Sequence, residues 1–220
     1  MNAAPLPTEM DLPGDLPMML KSHGAKESSK YACASALVHR RNGRLEIAAT
    51  DGHRLALYEH DRHEDYVNVD DLGRRVMRAG PDFRFGIPLA ALAAVKVGAS
   101  EAFMHLEADD GLAPGNTATI RTRKGSVDFE LESADRWPAY NDVVPRIETR
   151  DPAKYPGRQT IQVDPALLAD AANLMKAFRK RHHGDPVALR TLDGKPYIEM
   201  VAQVDAKLGT RMRVVLMGAG

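Results

Sequence analysis

One pattern recurs three times along this chain: a short strand-like run, a short run with an apolar stripe of helical period, then three more strand-like runs. The first copy spans about residues 8–60. It has an edge strand at Thr8–Leu12, a weak helix around Leu16–His23, and strands near Tyr31–His39, Leu45–Thr50 and Leu55–Glu59, with Asn42-Gly43 marking a turn. The second spans about 83–132: a strand at Phe83–Ile87, a helix opened by Pro88 and running through Val97, and strands at Ala102–Glu107, Thr117–Arg123 and Ser126–Glu132. The third begins at 160. Thr160–Val163 reads as a strand, Asp164 as an N-cap, and Pro165 opens a helix that is apolar at Leu167, Leu168, Ala171, Leu174, Met175 and Phe178. Strands at Val187–Leu192, Pro196–Gln203 and Thr210–Met217 complete it, with a turn at Asp193-Gly194. The repetition predicts an α+β fold of β-α-β-β-β half-domains. The stretches His60–Pro81, with its run Asp70-Asp71-Leu72-Gly73-Arg74-Arg75, and Arg146–Gln159, with Pro152, Pro156 and Gly157, read as surface linkers.

Composition narrows the class. Thirty basic residues balance thirty acidic ones, which argues against a general nucleic-acid coat and leaves room for cations segregated on one surface. Cys33 is the single cysteine, so an internal disulfide and a cysteine-rich zinc site are excluded, and a reducing cytoplasm is expected. Residues 1–14 lack a basic start and a long apolar run, and no stretch approaches the roughly 20 apolar residues of a membrane span.

Two strings carry more than the pattern does. Ala49-Thr50-Asp51-Gly52-His53-Arg54-Leu55-Ala56 closes one strand, makes a tight polar turn and opens the next. An Asp-Gly pair alone is a hairpin signal, because glycine tolerates the positive φ such turns need. The whole string, however, resembles a signature of the bacterial DNA polymerase sliding clamp, the beta-subunit processivity factor of DNA polymerase III. Arg136-Trp137-Pro138-Ala139-Tyr140-Asn141-Asp142-Val143-Val144-Pro145 is similar to that family's aromatic-Pro-x-Tyr segment, and Arg213-Val214-Val215-Leu216-Met217 to its C-terminal strand. The resemblance implies a DNA clamp fold, with helices on one side of antiparallel sheets. Residues 1–146 would form one clamp-like domain of two half-modules, 147–159 a linker and 160–220 a further half-domain, about one and a half clamp domains in all.

The resemblance also implies a function: a non-enzymatic processivity factor that encircles duplex DNA and tethers a polymerase through a peptide-binding cleft. Carried over by motif, the cleft would be walled by Thr50, Gly52, His53, Arg54, Leu55, Val144, Pro145, Val215 and Met217, and would take peptides from DNA polymerase and the clamp loader. The family commonly ends in Met-Pro-Met-Arg-Leu, whereas this chain ends Leu216-Met217-Gly218-Ala219-Gly220, which thins one wall. Helices lining a channel would present Lys21, Lys26, Lys30, Lys96, Asn173, Lys176, Arg179, Lys180 and Arg181 to phosphates, giving contacts that do not depend on base sequence. Lys176 and Lys180, four apart, share a helix face, although cations near a helix C-terminus are also favourable with no ligand present.

Other chemistries find little purchase. Asp51 and His53 are two residues apart, but no G-x-S-x-G elbow accompanies them, which leaves a hydrolase a distant third reading. His60, His63 and the adjacent His182-His183 lack an HExxH frame and read as solvated loop histidines; no metal or cofactor is expected. Rings in the family contain twelve half-domains, so three modules per chain imply a tetrameric ring with like modules meeting like, or a trimer if a fourth module is present. The shortened form suggests a phage, plasmid or other mobile-element origin and a cytoplasmic, nucleoid-associated protein. The rival reading is a clamp-derived protein that never closes a ring and competes for clamp-binding peptides.

Overall fold

The computed structural model describes residues 6–25, 33–60, 66–69, 75–78, 81–98, 101, 103–135, 137–138, 165–182, 187–191, 197–205 and 210–217. The first module consists of β1 (Glu9–Pro13), α1 (Leu16–His23), β2 (Ser35–Arg41), β3 (Arg44–Thr50) and β4 (Arg54–His60). The second consists of β7 (Phe83–Pro88), α2 (Leu89–Ala94), β8 (Phe103–Ala108), β9 (Thr117–Thr122) and β10 (Gly125–Glu130). The third contains α3 (Pro165–His182), β11 (Ala188–Thr191), β12 (Tyr197–Asp205) and β13 (Thr210–Met217); its expected opening strand at 160–163 lies outside the described residues. The helix expected over Pro88–Val97 is shorter, because Val95 is already extended at φ −70° and ψ 127°.

The connector after β4 differs from the surface linker expected of it. It contains an antiparallel hairpin, β5 (Tyr66–Val69) on β6 (Arg75–Arg78). Tyr66-Val67-Asn68-Val69 and Val76-Met77 supply the β-branched and apolar residues of a short pair.

All the pairings are antiparallel. One sheet has the order β1-β8-β9-β10, and a second the order β11-β12-β13-β4-β3-β2-β7. The first two modules thus exchange their opening strands: β1 lies on β8, and β7 lies on β2. The third module joins the first edge to edge through β13 and β4, from Arg211 opposite Glu59 to Leu216 opposite Arg54. Gly86 lets the second module close on itself, since its backbone bonds to Glu132 in both directions at 2.8 and 2.9 Å and a Cβ there would meet Ser35 Oγ at 3.1 Å.

Strand alternation divides the apolar residues of the long sheet between two clusters. On one face Val38, Ile47, Ala56, Tyr58, Met212 and Val214 join the main core with Leu12, Leu16, Met19, Leu92, Leu106, Ile120, Leu174 and Phe178, so both sheets and all three described helices share it. Helix α1 packs against both α2 and α3, making a helical layer. The opposite face carries a smaller cluster of Cys33, Leu37, Ala48, Leu55, Leu57, Ala134, Trp137 and Val215. Among the described residues no helix is long and apolar enough to cross a membrane.

Candidate functional site

The Thr50–Leu55 turn is built by its own polar side chains. Thr50 Oγ1 donates to the Arg54 carbonyl at 2.9 Å and accepts from the Gly52 N–H at 3.1 Å. Asp51 Oδ1 accepts the backbone N–H groups of His53 and Arg54, each at 3.0 Å. This is an Asx-type turn, and Gly52 at φ +89° supplies the left-handed residue it needs. Asp51 Oδ2 is taken by Arg54 Nε at 2.8 Å, and Arg54 Nη1 reaches Asp170 of α3 at 2.7 Å. The carboxylate of Asp51 therefore serves the turn and the guanidinium. His53 is the exposed residue at the tip.

Arg54 and Leu55 were grouped on one wall by their motif, but both belong to β4 and point to opposite faces. Arg54 turns toward α3. There it stands near His23, a fully buried residue of α1 whose imidazole is pushed down to about 4 by burial and then by the Arg54 charge, with Asp51 and Asp170 acting in the other direction. Leu55 turns to the smaller cluster, where it lies opposite Val215 across the β4–β13 seam; the two are 4% and 1% exposed. Trp137, from the second family-like string, is buried in the same cluster. Val144 and Pro145 lie outside the described residues, as does the side chain of Met217, whose backbone pairs with Tyr197. Burial, with the charge of Glu132, pushes the neighbouring Cys33 thiol up to about 11, so it is no nucleophile at neutral pH.

Beyond the apolar cluster, the same face of the sheet carries a buried charge ladder that sequence reading did not find. Glu59, 1% exposed, accepts from Arg211 Nε at 2.6 Å, pairs with Arg44, and lies 3.6 Å from Arg213 Nη1. Arg213 donates through Nε to Glu199 at 2.7 Å, and Arg44 Nε lies 3.2 Å from Glu46. Three arginines thus face three glutamates across β3, β4, β13 and β12. Burial pulls the Arg213 guanidinium down despite Glu199, a sign of how little water reaches it. The complementary charges on β4 and β13 were the signal available in the sequence. His60, expected in a loop, belongs to β4 and shares a 2.6 Å hydrogen bond with Thr210 at this seam.

On the helical layer, α3 buries Ala171, Leu174, Met175 and Phe178 and exposes Asn173, Lys176, Arg179 and Lys180. Lys96 is exposed just beyond α2. Lys21 and Arg181 lie on α1 and α3, but their side chains, like all of Lys26 and Lys30, are outside the described residues. His182 ends α3, and His63 and His183 are likewise outside. Among the described residues no group of three or more His, Cys, Asp or Glu side chains could hold a metal.

No protein-family model matches the chain, and neither does any curated protein. Solved structures do. The DNA polymerase III subunit beta from Pseudomonas aeruginosa is similar over the whole of this chain and 54% of its own, at 16% identity and a TM-score of 0.44. The DNA polymerase III beta subunit from Thermotoga maritima is similar over the whole chain and 53% of its own, at 14% identity and a TM-score of 0.39. The DNA polymerase III subunit beta from Borrelia burgdorferi, in complex with a natural product, is 11% identical with a TM-score of 0.43 and is covered over 51% of its length. The chain spans about half the length of these solved structures.

Proposed function

We propose that this chain is a shortened sliding clamp: a ring-forming processivity factor that holds a polymerase on duplex DNA by topology. The observation that carries the reading is the meeting of three distant segments. Leu55 of the first family-like string, Trp137 of the second and Val215 of the family-like last strand are far apart in sequence and share one apolar cluster. The exposed His53 stands at the adjoining turn, while Arg54 points to the other face, toward α3. Leu55, Trp137 and Val215 are at most 5% exposed, so the turn beside them, rather than an open apolar pocket, is the part of the site that a short peptide can reach. The opposite side of the molecule, a layer of helices with exposed Lys176, Arg179 and Lys180, suits phosphates without reading bases.

A closed ring needs no tight binding to remain on DNA, since linkage alone keeps the tethered enzyme at high effective concentration. Edge strands offer the means of closure. β4 and β13, the last strands of the first and third modules, already pair, whereas β10, the last strand of the second, pairs among the described strands only with β9. A tetramer in which second modules meet through β10 and third modules meet each other gives twelve modules with isologous contacts throughout.

Retention on DNA circles tests the proposal. The chain, loaded by its loader, is expected to stay on closed circular duplex and to be lost when the circle is linearised; equal loss from both forms sinks the ring and favours the peptide-competitor reading. Lys176→Glu with Lys180→Glu is expected to lower the slope of log K against log salt by about 2, one unit for each phosphate contact removed. An unchanged slope would mean that α3 does not face DNA. His53→Ala, at an exposed position, is expected to weaken a polymerase-derived clamp-binding peptide about tenfold, or about 1.4 kcal/mol, by fluorescence anisotropy. Unaltered affinity would remove the turn from the peptide site.

A further inference from the structure

The Thr50–Leu55 turn has two kinds of support. Its local bonds, from the Gly52 N–H to Thr50 Oγ1 and from the His53 and Arg54 N–H groups to Asp51 Oδ1, are available to this string by itself. The other support comes from a distant segment. Arg54, with its side chain 14% exposed, gives Nε to Asp51 Oδ2 at 2.8 Å and Nη1 to Asp170 Oδ2 at 2.7 Å, so one planar guanidinium joins a carboxylate of the turn to a carboxylate of α3. The two acids belong to different modules. Asp170 lies 116 positions from Arg54, on a helix that packs against β12 and β13 of its own module and against α1 of the first. The paired register of the β4–β13 seam ends at Arg54, opposite Leu216, so the guanidinium carries the hold of the third module past the last paired position and into the turn. Charge-assisted bonds on a preorganised fork are the strong ones. With Asp51 Oδ2 fixed by that fork, Oδ1 stays aimed at the two amide donors, and these set the position of the exposed His53.

We propose that Arg54 is a positioning residue rather than a peptide contact: with Asp170 it ties the turn to α3, so that the turn has the shape a peptide meets only where the third module is docked on the first. Arg54 then serves recognition through the turn, although its motif grouped it with the residues of the cleft wall. The tie makes binding conditional. A chain whose third module is displaced keeps the whole family-like string but loses the outer anchor of the guanidinium, and its turn is left to the local bonds alone. Such a chain presents His53 on a looser frame and holds a peptide less well, which confines recognition to the assembled fold. The inference deepens the peptide part of the proposed function and rests on it for the ligand, but not for the tie itself.

The test uses the full chain, with amide hydrogen exchange and the fluorescence anisotropy of a labelled polymerase-derived clamp-binding peptide. Asp170→Ala, at a side chain that is 49% exposed and outside the turn, is expected to speed exchange of the His53 and Arg54 amides and to raise the dissociation constant of the peptide about fivefold, the upper end for a partly exposed ion pair. The amides of Val214 and Val215 on β13 should keep their wild-type rates, a pattern that a general loss of stability does not give. Asp170→Glu is expected to restore both readouts. Arg54→Ala combined with Asp170→Ala should bind no more weakly than Arg54→Ala alone, since both act through one contact. Turn amides and affinity that are both unchanged in Asp170→Ala overturn the proposal. So does faster exchange with unaltered affinity, and so does weaker binding with unaltered turn amides, which would make Asp170 a contact residue. Acceleration spread equally over the β13 amides overturns it too, because the loss is then one of docking. Faster turn amides in a protein whose wild type binds no peptide would sink the peptide site and leave the tie standing.

Discussion

Glu59→Gln is expected to lower unfolding stability by about 3–5 kcal/mol, the cost typical of breaking a buried ion pair by removing one partner. Glu59 is 1% exposed and is approached by Arg44, Arg211 and Arg213, each from a different position along β3 and β13. With Glu46 and Glu199 the group is electrically balanced, three cations against three anions. Neutralising its centre leaves three guanidinium groups around an amide whose oxygen still accepts but whose NH2 faces only donors. The loss falls on the seam, since Glu59 and Arg211 are opposed across β4 and β13. Proteolysis of the third module should therefore accelerate along with the fall in the urea midpoint. Glu59→Met combined with Arg211→Leu should be markedly less destabilised than the sum of its single variants, because an apolar pair of similar volume suffers no desolvation. A loss below about 1 kcal/mol for Glu59→Gln would place the ladder among solvated surface pairs and leave the seam to its backbone bonds.

The balance between local and distant information explains what the sequence made legible. The helix Pro165–His182 begins at the expected Pro165, because its apolar stripe and N-cap are signals within one segment. β13 runs from Thr210 to Met217 as expected, for a similar reason. The β5–β6 pair was hidden by the charged run Asp70-Asp71-Leu72-Gly73-Arg74-Arg75, which reads as linker composition. The β4–β13 seam has no local signal, since it joins strands about 150 positions apart; its trace is the charge complementarity of Glu59 with Arg211 and Arg213. At the site, Asp51-Gly52 announced the turn, and strand alternation from Arg54 onward would have separated Arg54 from Leu55 had it been applied to the motif. Asp170 and His23 were out of reach, because nothing in α1 or α3 alone says that Arg54 will stand between them.

That meeting of α1, α3 and β4 is expected to give the fold a second weakness, to acid. His23 is buried in the folded chain with a pKa of about 4, against an ordinary value of 6.5. Burial disfavours the imidazolium most and the Arg54 charge repels it, while Asp51, the hydrogen bond to the Met19 backbone and Asp170 each attract it less strongly. A base whose folded pKa is depressed binds more protons when unfolded, so stability rises with pH between the two values. The contribution is fully present above pH 6.5, declines as pH falls toward about 4, and is constant below that. At about 1.4 kcal/mol per unit, the window amounts to about 3 kcal/mol. Urea titrations at pH 7 and at pH 4 should show the wild type losing about that much more than His23→Gln, whose side chain does not titrate. Equal losses in the two proteins would mean that His23 is solvated in the folded state. Because Arg54 is held by Asp51 and Asp170 at 2.8 and 2.7 Å, Asp170→Asn should deepen the acid loss. It removes an anion that favours the imidazolium while leaving the Arg54 charge that opposes it.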